Sequence, residues 1–207
     1  LNQDYDRIEI IVINDGSTDN TSEVLEKFKD SIKIVNQSNM GISATRQRAI
    51  EEATGEYFAF LDHDDMWTSN AVRLRVEALE NNPDIQIVFG HQQYFFDEHI
   101  DEALKHRLEP NYIQKPIPAE MSTTAILTLQ TFIQVGNFTD DSKMHPFLDW
   151  YGRAKEKGLQ SLVLPDLILY RRIHNRNTSR LRTNSLLPGT LKQMLDRRRN
   201  LETQSNH

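Results

Sequence analysis

Short apolar runs alternate with amphipathic stretches through the first 90 residues of the chain. The apolar runs are compact and rich in β-branched and aromatic residues, which is the pattern of buried strands. They occupy residues 8–14, 32–35, 57–61 and 85–89. The amphipathic stretches repeat apolar residues at helical spacing over residues 20–30, 41–54 and 70–81. Strand and helix in alternation predict an α/β fold, with a mostly parallel central sheet and helices on both of its faces.

The pattern is less regular in the second half of the chain. Residues 97–120 are polar and proline-containing, so we expect a loop there. Further elements are predicted as a strand at 123–129, a helix at 147–157, and two strands at 162–164 and 167–170 separated by Pro165. A sheet of this kind normally opens with a strand, whereas residues 1–7 have the pattern of a helix end and a connection. We therefore expect one strand and most of one helix to precede Leu1 in the full protein.

Composition narrows the classes of protein that the chain can belong to. It has 207 residues and no cysteine, which excludes disulfides, cysteine zinc sites and a thiol nucleophile and fits a cytoplasmic location. The net charge of −6 argues against a general nucleic-acid binder. Arginines nevertheless crowd residues 171–199. This basic tail is either a solvated helix or a segment that meets anionic lipid, a phosphate-bearing ligand or the body of the protein.

Three carboxylates follow the apolar run that ends at Leu61. Asp62, Asp64 and Asp65 lie where a buried strand stops, and open α/β sheets bind ligands at that edge. Carboxylates so close together repel one another, and a bound divalent cation would remove the conflict. Oxygen ligands suit Mg²⁺ or Mn²⁺, so the segment predicts a metal site that serves a phosphate-bearing ligand. His63, between the carboxylates in sequence, is expected to be a spacer. The alternative is a solvated acidic turn that caps the helix near residue 70, with Asp65 in that role.

Other residues suited to binding chemistry lie at element ends. Asp15 follows the first predicted strand, and Gly16 lets the chain turn sharply, although both also suit an ordinary turn. Arg46 and Arg48 lie early in the second predicted helix, where an arginine can clamp phosphate or be a surface charge. His174 follows the last strand beside two arginines and is either a metal or phosphate contact or a surface histidine.

Asp149 is a candidate general base. It stands among large apolar residues, and burial would raise its pKa and its basicity. The competing interpretation is a structural ion pair with Arg153, four residues later on the same predicted helix. His145 is a second candidate for the same role.

Taken together, these motifs resemble the family-2 glycosyltransferases, which have the nucleotide-diphospho-sugar transferase fold called GT-A. The resemblance covers most of the chain, and its specific part lies in the first 65 residues. The matching segments are Asn2-Gln3, Ile8–Thr21, Asn39-Met40-Gly41 with Ala44 and Arg46, Gly55–Asp65, and more weakly Phe132–Phe138 and Arg171–Ser179.

The resemblance implies roles for individual residues. Asp15 with Gly16 would read the nucleobase, usually uracil, and Arg46 would lie near the diphosphate. Asp62 and Asp64 would form the Asp-X-Asp motif, with Asp62 near the ribose and Asp64 on the Mn²⁺ or Mg²⁺ ion. His174 would help to hold the metal or the diphosphate, so the predicted metal set is Asp64, Asp62 and His174.

Two departures from the family pattern affect the prediction. The family's opening strand is absent, and Pro146 and Phe147 stand where a Glu-Asp pair is usual before Arg153. Asp149 is the nearest carboxylate and would replace that base. The predicted domain spans residues 1–175, with a nucleotide-binding half over about 1–95, an acceptor half over about 96–175, and a helical basic tail over 176–207.

The functional hypothesis is a metal-dependent inverting glycosyltransferase. It would move a sugar from a nucleotide-diphospho-sugar, expected to be a UDP-sugar, to a hydroxyl of a carbohydrate or lipid-linked acceptor, as in cell-surface polysaccharide or glycoconjugate synthesis. The basic tail would allow peripheral contact with a membrane surface, and no nucleic-acid partner is expected. The alternatives are a non-catalytic sugar-nucleotide or glycan binding module that kept the metal site, and a nucleotidyltransferase.

Overall fold

The protein is described by a computed structural model that covers residues 2–112, 115–139, 145–175, 177, 188–197 and 199. The strands are β1 (Ile11–Asp15), β2 (Lys33–Gln37), β3 (Tyr57–Phe58), β4 (Met66–Trp67), β5 (Ile87–Phe96), β6 (Ile117–Ala119), β7 (Ile126–Thr128) and β8 (Ser161–Ile173). The helices are α1 (Thr21–Glu26), α2 (Gly41–Glu51), α3 (Ala71–Asn81), α4 (Glu102–Tyr112), α5 (Leu129–Val135) and α6 (Pro146–Glu156), followed by α7 (188–197). No helix in these ranges is both long enough and apolar enough to span a bilayer.

The strands form two sheets. β1 and β2 pair in parallel as a two-stranded sheet, and the larger sheet has the order β3-β7-β5-β8-β4 with β6 added to β5. Within the larger sheet β5 and β8 are parallel, whereas the other described pairs are antiparallel. The α/β alternation is present as predicted, but the sheet is mixed where we expected it to be mostly parallel. β6 and β7 follow β5 in the chain and both pair with it in antiparallel orientation.

Strand β8 is longer than the sequence predicted. We expected two strands broken at Pro165, but residues Ser161–Ile173 form one strand that pairs with β5 throughout. The register shifts between Phe89 and His91, opposite this proline. A bulge therefore absorbs the missing N–H of Pro165. Because the strand continues, its far end reaches β4 and lies beside residues 62–65.

The polar segment 97–120 is not wholly a loop. It contains α4 and β6, and α5 directly follows β7, although neither helix was predicted. Helix α4 has a weak apolar stripe, in which Leu104 packs with Ile100 and Ile173. Helix α5 begins at Thr128, whose hydroxyl accepts a hydrogen bond from the Thr131 N–H at 3.1 Å. A weak stripe and a short helix produce little periodicity in the sequence.

Two apolar clusters hold the larger sheet between helices. On one side Phe89 packs with residues of α5 and α6, where the rings of Phe132 and Trp150 stack with centroids 5.6 Å apart. On the other side Val76 and Leu79 of α3 pack against Val88 and Ile126. This larger sheet is the stable platform whose edge carries residues 62–65.

The two-stranded sheet is covered less completely. The apolar side chains of Val24, Phe28 and Ile42, in or next to α1 and α2, are all exposed. Two strands offer little surface for α1 and α2 to cover, so part of each apolar stripe remains in solvent.

Candidate functional site

Asp15 lies at the end of β1 and holds the beginning of α2. Its carboxylate accepts hydrogen bonds from the Gln37 side chain at 2.7 Å and from the N–H groups of Met40 at 2.8 Å and Gly41 at 3.0 Å. Burial opposes ionisation of this carboxylate, but the hydrogen bonds from Met40, Gln37 and Gly41 outweigh that effect and lower its pKa. Asp15 is therefore ionised at neutral pH, and its position at the strand end agrees with the sequence prediction.

Gly16 makes the turn after Asp15 possible. Its φ of 73° lies in the left-handed region, and a Cβ atom there would stand 2.7 Å from the Asn39 backbone nitrogen. A side chain at this position would therefore push apart the two loops that follow β1 and β2.

Arg46 and Asp62 form one half of the site. Arg46 is only 6% exposed, and its Nη2 donates to Asp62 Oδ1 at 3.1 Å. Its guanidinium lies over the Phe60 ring, 5.4 Å from the centroid. Nη1 of Arg46 is buried and has no hydrogen-bond partner within the described residues. A buried N–H without an acceptor is costly, so this group is placed to receive an oxygen from a ligand.

Asp64 and His174 form the other half, although they are 110 residues apart in the chain. Asp64 Oδ2 lies 3.0 Å from His174 Nε2, and Asn177 Nδ2 donates to the same oxygen at 3.4 Å. The Asp64 and His174 side chains are 23% and 25% exposed, so both are accessible. The pairing of β4 with the end of β8 brings them together. The sequence predicted both residues as ligands without showing that they meet.

The donor set suits a divalent cation in part. Neighbouring ligands of an octahedral ion with bonds of about 2.1 Å lie about 3 Å apart, which matches the 3.0 Å between Asp64 Oδ2 and His174 Nε2. Carboxylate oxygen and imidazole nitrogen together suit Mn²⁺. The described residues contain no cluster of three or more such side chains that would hold a metal alone. Asp62 is engaged by Arg46, so Asp64 and His174 would hold an ion that completes its shell with ligand oxygens.

Asp65 and Arg172 fix the acidic segment in place. Asp65 Oδ1 accepts the Arg172 N–H at 3.0 Å, whereas Arg172 Nε donates to the Asp64 carbonyl at 3.1 Å and Nη1 to Asp97 at 3.1 Å. Burial, with a smaller contribution from the nearby Asp64 charge, raises the pKa of Asp65 to about 6. We expected Asp65 to cap the helix near residue 70, but it binds β8 instead. Sequence reasoning missed Arg172, for which the only signal was an arginine pair at the end of a strand.

Asp149 lies in a different environment. Its side chain is 0% exposed and accepts hydrogen bonds from Thr139 Oγ1 at 2.6 Å, Arg153 Nε at 3.2 Å and Arg197 Nη1 at 2.7 Å. The ion pair with Arg153, one of the two interpretations of the sequence, is confirmed. The described residues give Asp149 and Asp15 no hydrogen bond to the Asp62–Asp64 group.

The C-terminal helix α7 covers Asp149. Arg197 reaches Asp149 and also Glu156 at 3.2 Å, and Met194 lies directly against Gly152. The possible partners of the basic tail were anionic lipid, a phosphate-bearing ligand and the body of the protein. The described part of the tail contacts the body of the protein. The remaining residues of the predicted tail, including Arg176, lie outside the described ranges.

His145 stands at the N-terminus of α6 and adjoins the Arg46–Asp62 half of the site. Its Nδ1 accepts the Leu148 N–H at 3.3 Å, which makes it the N-cap of the helix. Burial, followed by the positive charge of Arg46, lowers the pKa of His145, with Arg171 adding to the effect and Asp62 opposing it. Electrostatic reasoning on the sequence alone could not place His145 here, because these neighbours come from distant segments.

Comparison with known proteins relates this chain to a protein family. The profile described as "Glycosyl transferase family 2" matches residues 1–139. An Escherichia coli relative, described as UDP-Glc:alpha-D-GlcNAc-diphosphoundecaprenol beta-1,3-glucosyltransferase WfaP, is 35% identical over 100 residues, covering 47% of this chain and 39% of the relative. An uncharacterized glycosyltransferase from Rickettsia typhi is 25% identical over 197 residues, covering 90% of this chain and 61% of that protein. The chain thus spans less than two thirds of the length of these relatives.

Two solved structures share the fold. A crystal structure of S. aureus TarS 1–349 in complex with UDP-GlcNAc superposes with a TM-score of 0.66 at 17% identity, covering 85% of this chain and 53% of that one. A mannosyltransferase from Pyrobaculum calidifontis in complex with GDP-Man and Mn²⁺ gives a TM-score of 0.64 at 17% identity, covering 87% and 53%. These likenesses confirm the predicted α/β fold of the GT-A type. The sequence match over residues 1–139 shows that the chain belongs to glycosyl transferase family 2.

Proposed function

We propose that the protein is a metal-dependent inverting glycosyltransferase that uses a nucleotide-diphospho-sugar, with a UDP-sugar as the first candidate. The observation that carries this proposal is the meeting of Asp64 with His174 beside the Arg46–Asp62 pair at one edge of the sheet. A cation-binding pair next to a buried guanidinium suits a ligand that carries a diphosphate.

Each residue of the nucleotide side then has a proposed role. Asp15, held ionised at the turn made by Gly16, would accept a hydrogen bond from a nucleobase N–H. Asp62 would accept from a ribose hydroxyl, and Arg46 would use its unpartnered Nη1 on a diphosphate oxygen. These residues lie at the end of β1, in α2 and in the segment after β3.

Asp64 and His174 would hold the Mn²⁺ or Mg²⁺ ion. Such an ion, when bound, neutralises the negative charge that develops on a departing diphosphate. Arg46 and Arg172 add positive charge near the diphosphate, because hydrogen bonds hold both side chains next to the acidic segment. Support for manganese comes from the P. calidifontis structure, which contains GDP-Man and Mn²⁺.

Inversion needs a base that removes the proton from the acceptor hydroxyl as its oxygen attacks the anomeric carbon and the nucleoside diphosphate leaves. Asp149 stays the predicted base, by its position in the chain before Arg153. Its burial and its three hydrogen bonds mean that α7 would have to release it before an acceptor could approach.

The acceptor is proposed to be a carbohydrate or lipid-linked hydroxyl. The name of the E. coli relative, with its diphosphoundecaprenol substrate, supports a lipid-linked acceptor in cell-surface glycan synthesis. A cytoplasmic location with peripheral contact to a membrane through the basic tail would suit such an acceptor.

Calorimetry tests the proposal. Titration of the full-length protein with UDP, and separately with GDP, should show binding that strengthens when Mn²⁺ is present. If neither nucleotide binds in a metal-dependent way, the proposed function is wrong. A screen of UDP- and GDP-sugars for metal-dependent hydrolysis would then identify the donor.

A non-catalytic sugar-nucleotide binding module is the second candidate, because the sealed environment of Asp149 is unlike that of a working base. Asp149→Asn separates the two functions. Loss of turnover with retained nucleotide binding would support Asp149 as the base, whereas a parent protein that binds the nucleotide but turns over no sugar donor would support the module. Membership of the family leaves the nucleotidyltransferase without a supporting observation.

A further inference from the structure

His145 has a hydrogen-bond donor to which the proposed mechanism gives no role. The ring of His145 caps α6 through Nδ1, which accepts the N–H of Leu148 at 3.3 Å. An imidazole nitrogen that accepts a hydrogen bond carries no proton, so the proton of the neutral ring lies on Nε2. The cap therefore fixes the tautomer, and Nε2–H is a donor.

The backbone of His145 is held as firmly as its ring. Its N–H donates to Thr190 Oγ1 at 2.9 Å, and Thr190 in α7 is fully buried. His145 is thus clamped between the beginning of α6 and the beginning of α7. The orientation of its Nε2–H is set before any ligand arrives, which is what a preorganised binding group requires.

The surroundings of this donor indicate the ligand. The charged side chains that act on His145 are Arg46, Arg171 and Asp62, which come from α2, β8 and the segment after β3. Phe60 and Phe147, each two residues from a member of this group, line the same small cavity. The N-terminus of α6 thus packs next to the Arg46–Asp62 pair.

A second observation points to an absent ligand at the same place. Arg46 is 6% exposed, yet its Nη1 has no acceptor within the described residues. The unpartnered N–H of Arg46, the Nε2–H of His145 and the N-terminus of α6 thus lie in one region, where the carboxylate of Asp62 is already engaged by Arg46. An unsatisfied N–H donor near a helix N-terminus favours an anionic oxygen.

We propose that His145 is a donor-binding residue that gives a hydrogen bond from Nε2–H to a diphosphate oxygen of the nucleotide-sugar, alongside Nη1 of Arg46. This inference rests on the proposed function and adds a contact from α6, in the acceptor half of the chain. It assigns His145 a role different from proton abstraction, because the nitrogen that faces away from the cap already carries a proton.

Two substitutions separate the cap from the donor. His145→Asn keeps a strong N-cap acceptor but is too short to replace Nε2–H, whereas His145→Gln extends an amide N–H to a similar distance at some cost to the cap. With Mn²⁺ present, we expect the full-length H145N protein to bind UDP or GDP at least about tenfold more weakly than the parent. Its melting temperature should stay within about 2 °C, and H145Q should recover most of the affinity despite a lower melting temperature.

The outcomes distinguish this inference from the function beneath it. If the parent binds neither UDP nor GDP, the proposed function is wrong and the inference falls with it. If the parent binds and H145N binds equally well, the inference alone is overturned. Loss of affinity in both variants in step with loss of stability would show a merely structural role. Equal loss for uridine or guanosine, measured by NMR titration, would place the contact away from the diphosphate and overturn it too.

Discussion

Asp64 and Asp149 are both carboxylates that the sequence marked for chemistry, yet the fold treats them in opposite ways. Asp64 is 23% exposed and contacts a histidine and an asparagine, His174 and Asn177, which follow β8 in the chain. Asp149 is 0% exposed and is bound by two arginines and a threonine. The guanidinium groups of Arg153 and Arg197 satisfy the charge of Asp149, whereas the described residues place no arginine or lysine in contact with the Asp64 carboxylate, which leaves it available to a metal ion. A carboxylate is therefore available for ligand chemistry when its partners do not already neutralise it.

The strongest way to break this contrast is to remove the buried carboxylate. Asp149→Ala would leave the guanidinium groups of Arg153 and Arg197 without their counter-charge. We expect the free energy of unfolding to fall by about 3 kcal/mol, because breaking a buried ion pair from one side leaves an uncompensated charge. Urea denaturation measures the loss. Stability equal to that of the parent would mean that these ion pairs do not anchor α7.

Removing the accessible carboxylate of Asp64 should lower activity and leave stability nearly unchanged. Asp64→Asn should lower metal-dependent turnover or hydrolysis of the sugar donor by about 100-fold while changing the melting temperature little. The control is His63→Ala, an exposed neighbour with no proposed role. Equal losses in both variants would indicate general damage to the segment, and full activity in D64N would rule Asp64 out as a metal ligand.

Arg197 covers Asp149 from α7. Arg197→Ala should lower the free energy of unfolding by about 1–2 kcal/mol, the cost of losing hydrogen bonds to charged groups. The control Arg199→Ala removes an exposed arginine of the same segment and should change stability by less than about 0.5 kcal/mol. Higher turnover in R197A would show that α7 restrains Asp149 as a base, and lower turnover in proportion to stability would leave Asp149 a structural residue.

The smallest expected effect is a pH dependence from His145. Its folded-state pKa lies below the ordinary value of about 6.5, because of burial and then the charge of Arg46, with Arg171 adding to the effect and Asp62 opposing it. As the pH drops below about 6.5, His145 binds a proton more readily in the unfolded chain than in the folded protein. The contribution of His145 to the free energy of unfolding should therefore decrease as the pH drops. Asp65, whose raised pKa of about 6 gives the opposite slope over this range, is common to both proteins, so the His145 contribution is read from their difference. In melting curves of the metal-free protein from pH 7.5 to 5.5, the melting temperature of the parent should decrease relative to that of H145N as the pH drops. Parallel curves for both proteins would contradict the shift.

Much of the platform was readable in the sequence. The strands β1, β2 and β5 and the helices α2, α3 and α6 were predicted near their positions, because the apolar residues of each follow the period of its element. Helices α4 and α5 were missed, and so was the continuity of β8 through Pro165. In those segments the local pattern was weak, and pairing with β5 or packing on the sheet decided the structure.

The candidate site likewise combines positions that the local sequence predicted with contacts that it did not. The position of Asp62 and Asp64 after an apolar strand, and of Asp15 before a glycine turn, follows from local sequence. The partners of these residues do not: Arg46 reaches Asp62, Arg172 reaches Asp65, and His174 reaches Asp64 across 110 residues. The sequence alone does not show which residues that are far apart in the chain meet in space, because the order of strands in the sheet decides this.

The sequence by itself determined the α/β class, the acidic segment after an apolar run and the membership of glycosyl transferase family 2, because local periodicity and spacing depend only on the order of residues. Only the tertiary structure decided which carboxylate stays accessible. Asp149 and Asp64 have the same side chain, but α7 folds back to place Arg197 on one of them, and β8 brings His174 to the other. The charge of the partner and the access of solvent set the chemistry of a carboxylate, and both depend on contacts between distant segments.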